Sequence, residues 1–316
     1  MATSVRSLAI RSLKESDLPE AERLVPLAFA THLGLDPDDF HRGASCSSRW
    51  FTEPEAVFGA FTEERMVGVI FAVAWGSFGF FGPLVVHPEF WGQGIGQQLL
   101  EPIMDFFSRR RVTQSGLFTF SNSAKHLSLY QKFGYWPQHL TALMSKAVSE
   151  RQSDGACLRF SEVEQTQRQM RLDEVNKMSS SIYKGLALAK EIETVARCNI
   201  GDTVLLRDPQ GISGFAICHY GEGSEAEAGT CYVKFGGVRS GRDSDMRFAR
   251  LLDACESLAH SAKAKRLTAG VNTSRHQAYR HMLSSGMRTD GLGVAMLNPN
   301  KPGFNHADAF VIDDWR

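Results

Sequence analysis

The sequence predicts an α/β chain built as two successive halves, each a mixed central β-sheet flanked by helices. Three observations carry this. An apolar strand ending at Val86 runs through a glycine-rich turn into an amphipathic helix. Apolar runs of strand length alternate with runs of helical period along the whole chain. The order of elements after residue 156 repeats the order before residue 148.

In the first half, Ala9-Ile10-Arg11 reads as a short strand. Ser16 or Asp17 caps the next helix, with Pro19 in its first turn and Leu18, Ala21, Leu24, Val25, Ala28 and Phe29 on its apolar face. Pro26 removes a helical N–H and predicts a kink or an early stop. Ala56–Phe61 and Met66–Trp75 flank the polar Thr62-Glu63-Glu64-Arg65, which is a hairpin signal. Ser77-Phe78-Gly79 turns into the central strand, and His87-Pro88 ends it. Gly92, Gly94 and Gly96 open a helix whose face holds Leu99, Leu100, Ile103, Met104 and Phe107. A strand at Gly116–Phe120, a helix at Ser123–Phe133 stopped near Gly134, and a strand at Leu140–Lys146 follow.

The polar stretch 147–155 marks a boundary, giving domains at 1–148 and 156–316. Beyond it come helices at Glu162–Met178 and Gly185–Arg197, then a hairpin of Thr203–Arg207 and Ser213–Tyr220. A strand at Thr230–Val238, a helix at Ser244–Ala262 and a strand at Arg266–Val271 follow. A helix at Arg275–Leu283, ended by Gly286, and a strand at Leu292–Asn298 complete the repeat. The tail from Pro302 is expected to pack on a domain surface.

Strand, glycine loop and helix start together form a phosphate-binding layout. Amides at a helix N-terminus are unpaired and carry the positive end of the dipole, and glycine removes the Cβ atoms that would hold an anion away. No Lys follows Gly96, which excludes the nucleotide-hydrolase loop, and Gln97 stands where a dinucleotide fingerprint needs its third glycine. What remains is Val-x-Pro-x-x-x-Gly-x-Gly-x-Gly from Val86 to Gly96.

That pattern resembles the acetyl-CoA loop of the GNAT acyltransferases. The family has Arg or Gln, two residues, Gly, one residue, then Gly or Ala. Gly94 and Gly96 fit, and Trp91 in the first place departs. Leu129-Tyr130-Gln131-Lys132-Phe133-Gly134-Tyr135 is similar to the family's LY-x-K-x-GF signature, after a polar strand exit at Ser121-Asn122-Ser123. The resemblance covers residues 6 to 146. The second half resembles a degenerate GNAT domain. Arg250-Leu251-Leu252-Asp253 parallels Gln98-Leu99-Leu100-Glu101, which puts Ser244, Met246 and Phe248 at the places of the three glycines and Met282 at that of Tyr130.

The resemblance implies acetyl-CoA, or another acyl-CoA, as cofactor. Main-chain amides of Trp91, Gly92, Gln93, Gly94, Ile95, Gly96 and Gln97 would hold the pyrophosphate. Leu84, Val85 and Val86 would supply a backbone N–H to the thioester carbonyl. Asn122 either bonds the pantetheine arm or caps the next helix. Tyr130 would protonate the leaving thiolate as the catalytic acid. A base remains unassigned, with Glu53, Glu55, His87 and Glu89 as candidates by neighbourhood. Thr31–Trp50, with His32, His41 and Arg49, would border the acceptor.

The formal charge is zero over 316 residues, which argues against a nucleic-acid partner; Arg109-Arg110-Arg111 suits a helix C-terminus. The six cysteines form no C-x-x-C pair and read as reduced, mostly buried thiols. There is no apolar signal core, and Met66–Trp75 is too short for a membrane span, so a soluble cytoplasmic protein without membrane partners is expected. Metal ligation is not expected: H-E-x-x-H is missing, and His276 and His281 do not share a helix face. Phe215 spoils a G-x-S-x-G pattern. The expectation is therefore an acetyl-CoA-dependent N-acyltransferase acting on a primary amine, small molecule or peptide. A non-catalytic acyl-CoA sensor is the alternative, motivated by Trp91 and the unassigned base. Homodimerisation stays open.

Overall fold

The computed structural model describes residues 8–36, 45–63, 65–149 and 157–315. Residues 37–44 of the acceptor-side stretch and most of the expected boundary, 150–156, lie outside the described residues.

The first half runs β1 (Leu8–Ser12), α1 (Leu18–Leu33), α2 (Cys46–Thr52), β2 (Val57–Thr62), β3 (Arg65–Trp75), β4 (Phe78–Val86), α3 (Ile95–Arg109), β5 (Gln114–Thr119), α4 (Ala124–Gln131) and β6 (Trp136–Ala147). The second runs β7 (Cys157–Arg159), α5 (Arg168–Ile182), α6 (Ala189–Cys198), β8 (Gly201–Asp208), β9 (Gly211–His219), β10 (Thr230–Val238), α7 (Ser244–Ser261), β11 (Arg266–Asn272), α8 (His276–Ser284), β12 (Arg288–Asn298) and β13 (Val311–Ile312). The repeated order is real. β4–β5 and β10–β11 pair in parallel, while the other ladders are antiparallel, so the sheet is mixed.

The two expected sheets are fused. All strands belong to one sheet in the order β1-β2-β3-β4-β5-β12-β6-β11-β10-β9-β8-β7, with β13 added beside β10. The last strand of each half lies inside the other. β12 sits between β5 and β6, and β6 sits between β12 and β11. Neither half can therefore satisfy its own edge amides alone. The apolar core follows the same plan: Trp75, Phe78 and Phe80 pack in one cluster with Phe160, Phe215 and Phe235.

Local expectations are modified in three places. α1 continues past Pro26, because Leu24, Val25 and Ala28 are buried and tertiary packing outweighs one missing hydrogen bond; Gly34 ends it with φ +70°. Asp17 stands at the helix start but makes no cap: its carboxylate accepts from the Lys14 amide at 2.8 Å and pairs with Arg11 at 2.7 Å. The tail does not lie on a surface. Val311, Ile312, Asp313, Asp314 and Trp315 are all buried, and β13 pairs through Gly236↔Ile312 and Gly237↔Val311. Cys46, Cys218, Cys231 and Cys255 are buried, and all six cysteines are free. No described helix is long and apolar enough to cross a membrane.

Candidate active site

The site begins where β4 leaves β5. Their parallel ladder covers only Phe78↔Gln114, Ser115↔Gly79 and Phe80↔Gly116. β4 continues to Val86 against β3 alone, with Ile70↔Leu84, Val69↔Val85 and Gly68↔Val86 opposite. Residues facing each other in an antiparallel pair alternate between bonded and non-bonded. The His87 amide bonds the Val67 carbonyl at 2.8 Å. That register makes Val85 the next bonded residue and turns the N–H groups of Leu84 and Val86 toward the edge β5 has left. The expected trio thus divides: Leu84 and Val86 offer amides to the opening, and Val85 binds β3.

The loop after β4 is a 3-10 turn at Pro88–Phe90 followed by two left-handed glycines, Gly92 (φ +80°) and Gly94 (φ +77°). A side chain at either would be strained by its backbone, although the space around each is open. Gly94 caps α3, and its carbonyl accepts from Gln97 and Gln98 at 3.1 and 3.3 Å. Among the described residues, the amides of Gly92, Gln93, Gly94, Ile95 and Gly96 meet no protein acceptor. A run of outward amides at a helix start is the chemistry that holds a diphosphate. Gln97 instead spends its amide on Gly94. Trp91 folds back, and its indole N–H donates to the Val86 carbonyl at 2.7 Å, closing the end of the open strand edge. Lys125 lies 5.5 Å from the Trp91 ring centroid, a cation at the mouth of the loop.

Tyr130 is buried on α4 beside the same opening. Its ring centroid is 5.7 Å from that of Phe81. Burial pushes the phenol well above its ordinary range, with nearby Thr119 at the end of β5 pulling the other way. The group is held protonated, as a proton donor must be. Asn122 is exposed at the β5 exit, and the start of α4 is Ser123 rather than Asn122.

The base candidates are engaged elsewhere. Glu53 pairs with Lys190 at 2.9 Å and, like Glu55, with Arg110 at the far end of α3. α3 has 15 residues, so that end lies about 22 Å from the glycine loop. His87 and Glu89 form a small cluster with Arg65. Burial, and then Arg65, hold the His87 imidazole below its ordinary value.

Sequence reasoning placed Arg49 on the acceptor side but did not find the buried partners it meets in a polar crevice between the halves. It is lined by Arg49, Thr52, Gly82, Phe80, Glu191 and Lys234, among others. Arg49 donates to the Gly82 carbonyl at 3.0 Å and pairs with Glu225 at 2.6 Å. Lys234 pairs with Glu191 at 3.2 Å and with Glu225, while the Trp75 indole donates to Glu191 at 2.8 Å. Burial would raise Glu225, but Arg49 and Lys234 outweigh it and hold the carboxyl down to about 2. These partners are separated by up to 185 residues of chain, and no local pattern marks them.

The second half has the same skeleton without the opening. Met282 occupies the place of Tyr130, as the two turns show: Tyr135 N–H bonds the Tyr130 carbonyl at 3.2 Å, and Met287 N–H bonds that of Met282 at 3.1 Å. Gly134 and Gly286 follow with φ +80° and +94°. Ser244, Met246 and Phe248 lie inside the first turns of α7 rather than in a loop.

The family model described as acetyltransferase (GNAT) family matches residues 21–135, a span that holds the open edge, the glycine loop and Tyr130. No curated protein matches the chain. Among solved structures, one assigned as an acetyltransferase from Pyrococcus horikoshii superposes with a TM-score of 0.70 at 13% identity, over 99% of this chain and 96% of that one. A GCN5-related N-acetyltransferase from Sphaerobacter thermophilus gives 0.58 at 15% identity, over 94% and 96%. A tandem GNAT protein from the clavulanic acid biosynthesis pathway gives 0.56 at 11% identity, over 92% and 98%. These identities establish a shared fold. Residues 21–135 thus match the GNAT acetyltransferase family model, and the chain as a whole shares the fold of these structures, in the tandem form.

Proposed function

We propose that the protein transfers an acyl group from acyl-CoA, acetyl-CoA in the first instance, to the nitrogen of a primary amine. The catalytic role goes to residues 1–148, and residues 156–316 form one wall of the acceptor cleft. The observation that carries this reading is the bare edge of β4 leading directly into a loop of unbonded amides. The residues present fit coenzyme A: glycines leave the loop clear, and the edge offers N–H groups of the kind a pantetheine arm pairs with.

Bound acyl-CoA would supply the thioester whose acyl carbon passes to the amine. The amides of Gly92 to Gly96 hold negative charge at the helix start. The N–H of Leu84 or Val86, already oriented by the β3 ladder, would donate to the thioester oxygen of a bound acyl-CoA. Tyr130 holds its proton at the hydroxyl and would supply it to the leaving thiolate of a bound acyl-CoA. The Val86 carbonyl is taken by Trp91, so Leu84 carries the remaining acceptor on this edge. Six free thiols suit a reducing compartment, the cytoplasm.

Thiol release from acetyl-CoA, followed over a panel of primary amines, tests the reading. Tyr130→Phe is expected to lower kcat by about 10²- to 10⁴-fold with acetyl-CoA affinity unchanged. Undiminished turnover would remove Tyr130 as the acid. Tight binding without turnover on any amine would favour the sensor.

A further inference from the structure

The tail of the second half seals the inner end of the bare β4 edge. β4 and β5 hold together only as far as Phe80↔Gly116. At that fork Trp315 lies over glycines of both strands. A Cβ at Gly116 of β5 would stand 2.9 Å from its indole ring, and one at Gly82 of β4 would stand 3.6 Å from its carbonyl oxygen. The Trp315 ring is buried, 5.2 Å from that of Phe78 and 6.2 Å from that of Phe304. It shares a core with Phe78 and Phe80, whereas Phe81 and Leu117 pack in the core around α3. Trp315 therefore covers the fork on the face away from α3. The α3 face is covered by Phe81, whose ring meets that of Tyr135 edge-on at 5.2 Å, and the Tyr135 hydroxyl is tied to Ser115 of β5 at 2.6 Å.

On the reading that the protein is an acyltransferase, the course of the strand gives the direction of the ligand. The amides for the diphosphate follow Val86, so the pantetheine arm runs along the edge from Val86 toward the fork, and the acyl group is its innermost part. Inward of Leu84 the strand gives an arm little to pair with: Pro83 has no N–H, and the Gly82 carbonyl accepts from Arg49 at 3.0 Å. The thioester thus belongs beside Leu84, with the acyl chain beyond it. From Leu84 to Gly82 the strand advances about 7 Å. A carbon chain stops about 4 Å short of the wall it touches, which leaves length for about two carbons past the carbonyl. The wall is held in place. Asp313 pairs with Arg275 at 2.9 Å, Asp314 accepts from the Tyr232 hydroxyl at 2.7 Å, and β13 is paired to β10.

We infer that Trp315 sets the acyl-chain limit of the site, which admits acetyl or propionyl groups and excludes longer ones. The second half then takes part in choosing the donor, through a residue far from the cofactor loop in the chain. Gly82 and Gly116 carry no side chains, so the loss of this one ring opens the fork on the face away from α3 and lengthens the acyl groups that fit.

The test uses the full chain and equilibrium dialysis of acetyl-, propionyl-, butyryl- and hexanoyl-CoA, each expressed relative to unacylated CoA. The wild type is expected to bind acetyl- and propionyl-CoA about tenfold or more tighter than hexanoyl-CoA. Trp315→Ala should raise butyryl- over acetyl-CoA by about tenfold relative to the wild type, near the fourfold that each buried methylene supplies. Trp315→Phe should move the ranking the same way by a smaller step, and it decides the matter if the alanine variant does not fold. A role confined to holding the fold would weaken every ligand alike, CoA included, and leave the ranking as it was. That unchanged ranking, or a wild type that binds hexanoyl-CoA as tightly as acetyl-CoA, would overturn the inference alone. A wild type that binds neither CoA nor acetyl-CoA would instead remove the acyltransfer reading, and this inference with it.

Discussion

Two strands of one sheet, β4 and β10, meet the same situation and resolve it differently. Each pairs in parallel with the next strand for three or four residues and then parts from it, after Phe80 in one case and Val233 in the other. Past Phe80 the edge of β4 stays bare and leads into the glycine loop. Past Val233 the edge of β10 is taken by the chain's own tail, with Gly236↔Ile312 and Gly237↔Val311 paired. Beyond it α7 starts at Ser244, with Asp243 and Asp245 at its N-terminus, where an anion would meet like charge. The opening is thus a property of the fold, and what fills it sets the role of each half. Buried amides need partners, and in the second half the tail supplies them.

The tail is fixed by an ion cluster of its own. Arg275 is fully buried and donates to Asn305, to the Val311 carbonyl at 3.1 Å and to Asp313 at 2.9 Å. The Tyr232 hydroxyl donates to Asp314 at 2.7 Å. From there the chain reaches the first half, where the Trp315 ring lies 5.2 Å from that of Phe78.

The contrast can be broken most drastically by separating the halves. Residues 156–316 expressed alone are expected to lack a cooperative unfolding transition, because β12 would lose both neighbouring strands, β5 and β6. A compact monomer by sedimentation with a sharp melt would contradict the exchanged-strand arrangement. Next in size, Arg275→Ala leaves Asp313 buried beside an emptied site and should cost about 3–5 kcal/mol in urea unfolding. A loss under 1 kcal/mol, by the same measure, would mean that the tail is held by its strand pairing alone.

Acidification should act next, through the inter-half cluster. His219 is held down to about 3 and Glu225 down to about 2, each below its ordinary 6.5 and 4.5. Both folded values are depressed, so both groups contribute stability that is present above the ordinary value and lost as pH falls. The His219 share declines from about pH 6.5, and the Glu225 share from about pH 4.5. Unfolding midpoints taken from pH 7 to pH 4 should fall steadily, and a midpoint that rises over that range would contradict the assignment. The smallest effect on the fold belongs to the loop. Gly94→Ala forces a side chain into left-handed backbone and should cost about 1–2 kcal/mol. Gly96→Ala meets only ordinary contact, 3.5 Å from Leu129, so stability should hold within about 1 kcal/mol. Gly94→Ala should weaken acetyl-CoA binding, measured by calorimetry, if the cradle is where the cofactor sits, whereas Gly96→Ala, at the place where the resembled pattern admits Ala, should leave it nearly unchanged.

Local chemistry determined much of this protein from the sequence alone. β4, the glycine loop, α3 and Tyr130 were legible because a strand's apolar run, left-handed glycines and a helix's apolar stripe are written in neighbouring residues. The repeat was legible for the same reason, down to Met282 standing for Tyr130. The persistence of α1 through Pro26 was not, since it depends on what the helix packs against.

Only the tertiary structure decided how the halves join. The place of β12 between β5 and β6, the burial of the tail, and the meeting of Arg49, Glu191, Glu225 and Lys234 each link residues far apart in the chain. A strand pattern records which face is apolar but not which strand lies beside it, and a charged residue carries no mark of the partner that permits its burial. Those choices belong to the free energy of the whole sheet, which no local stretch contains.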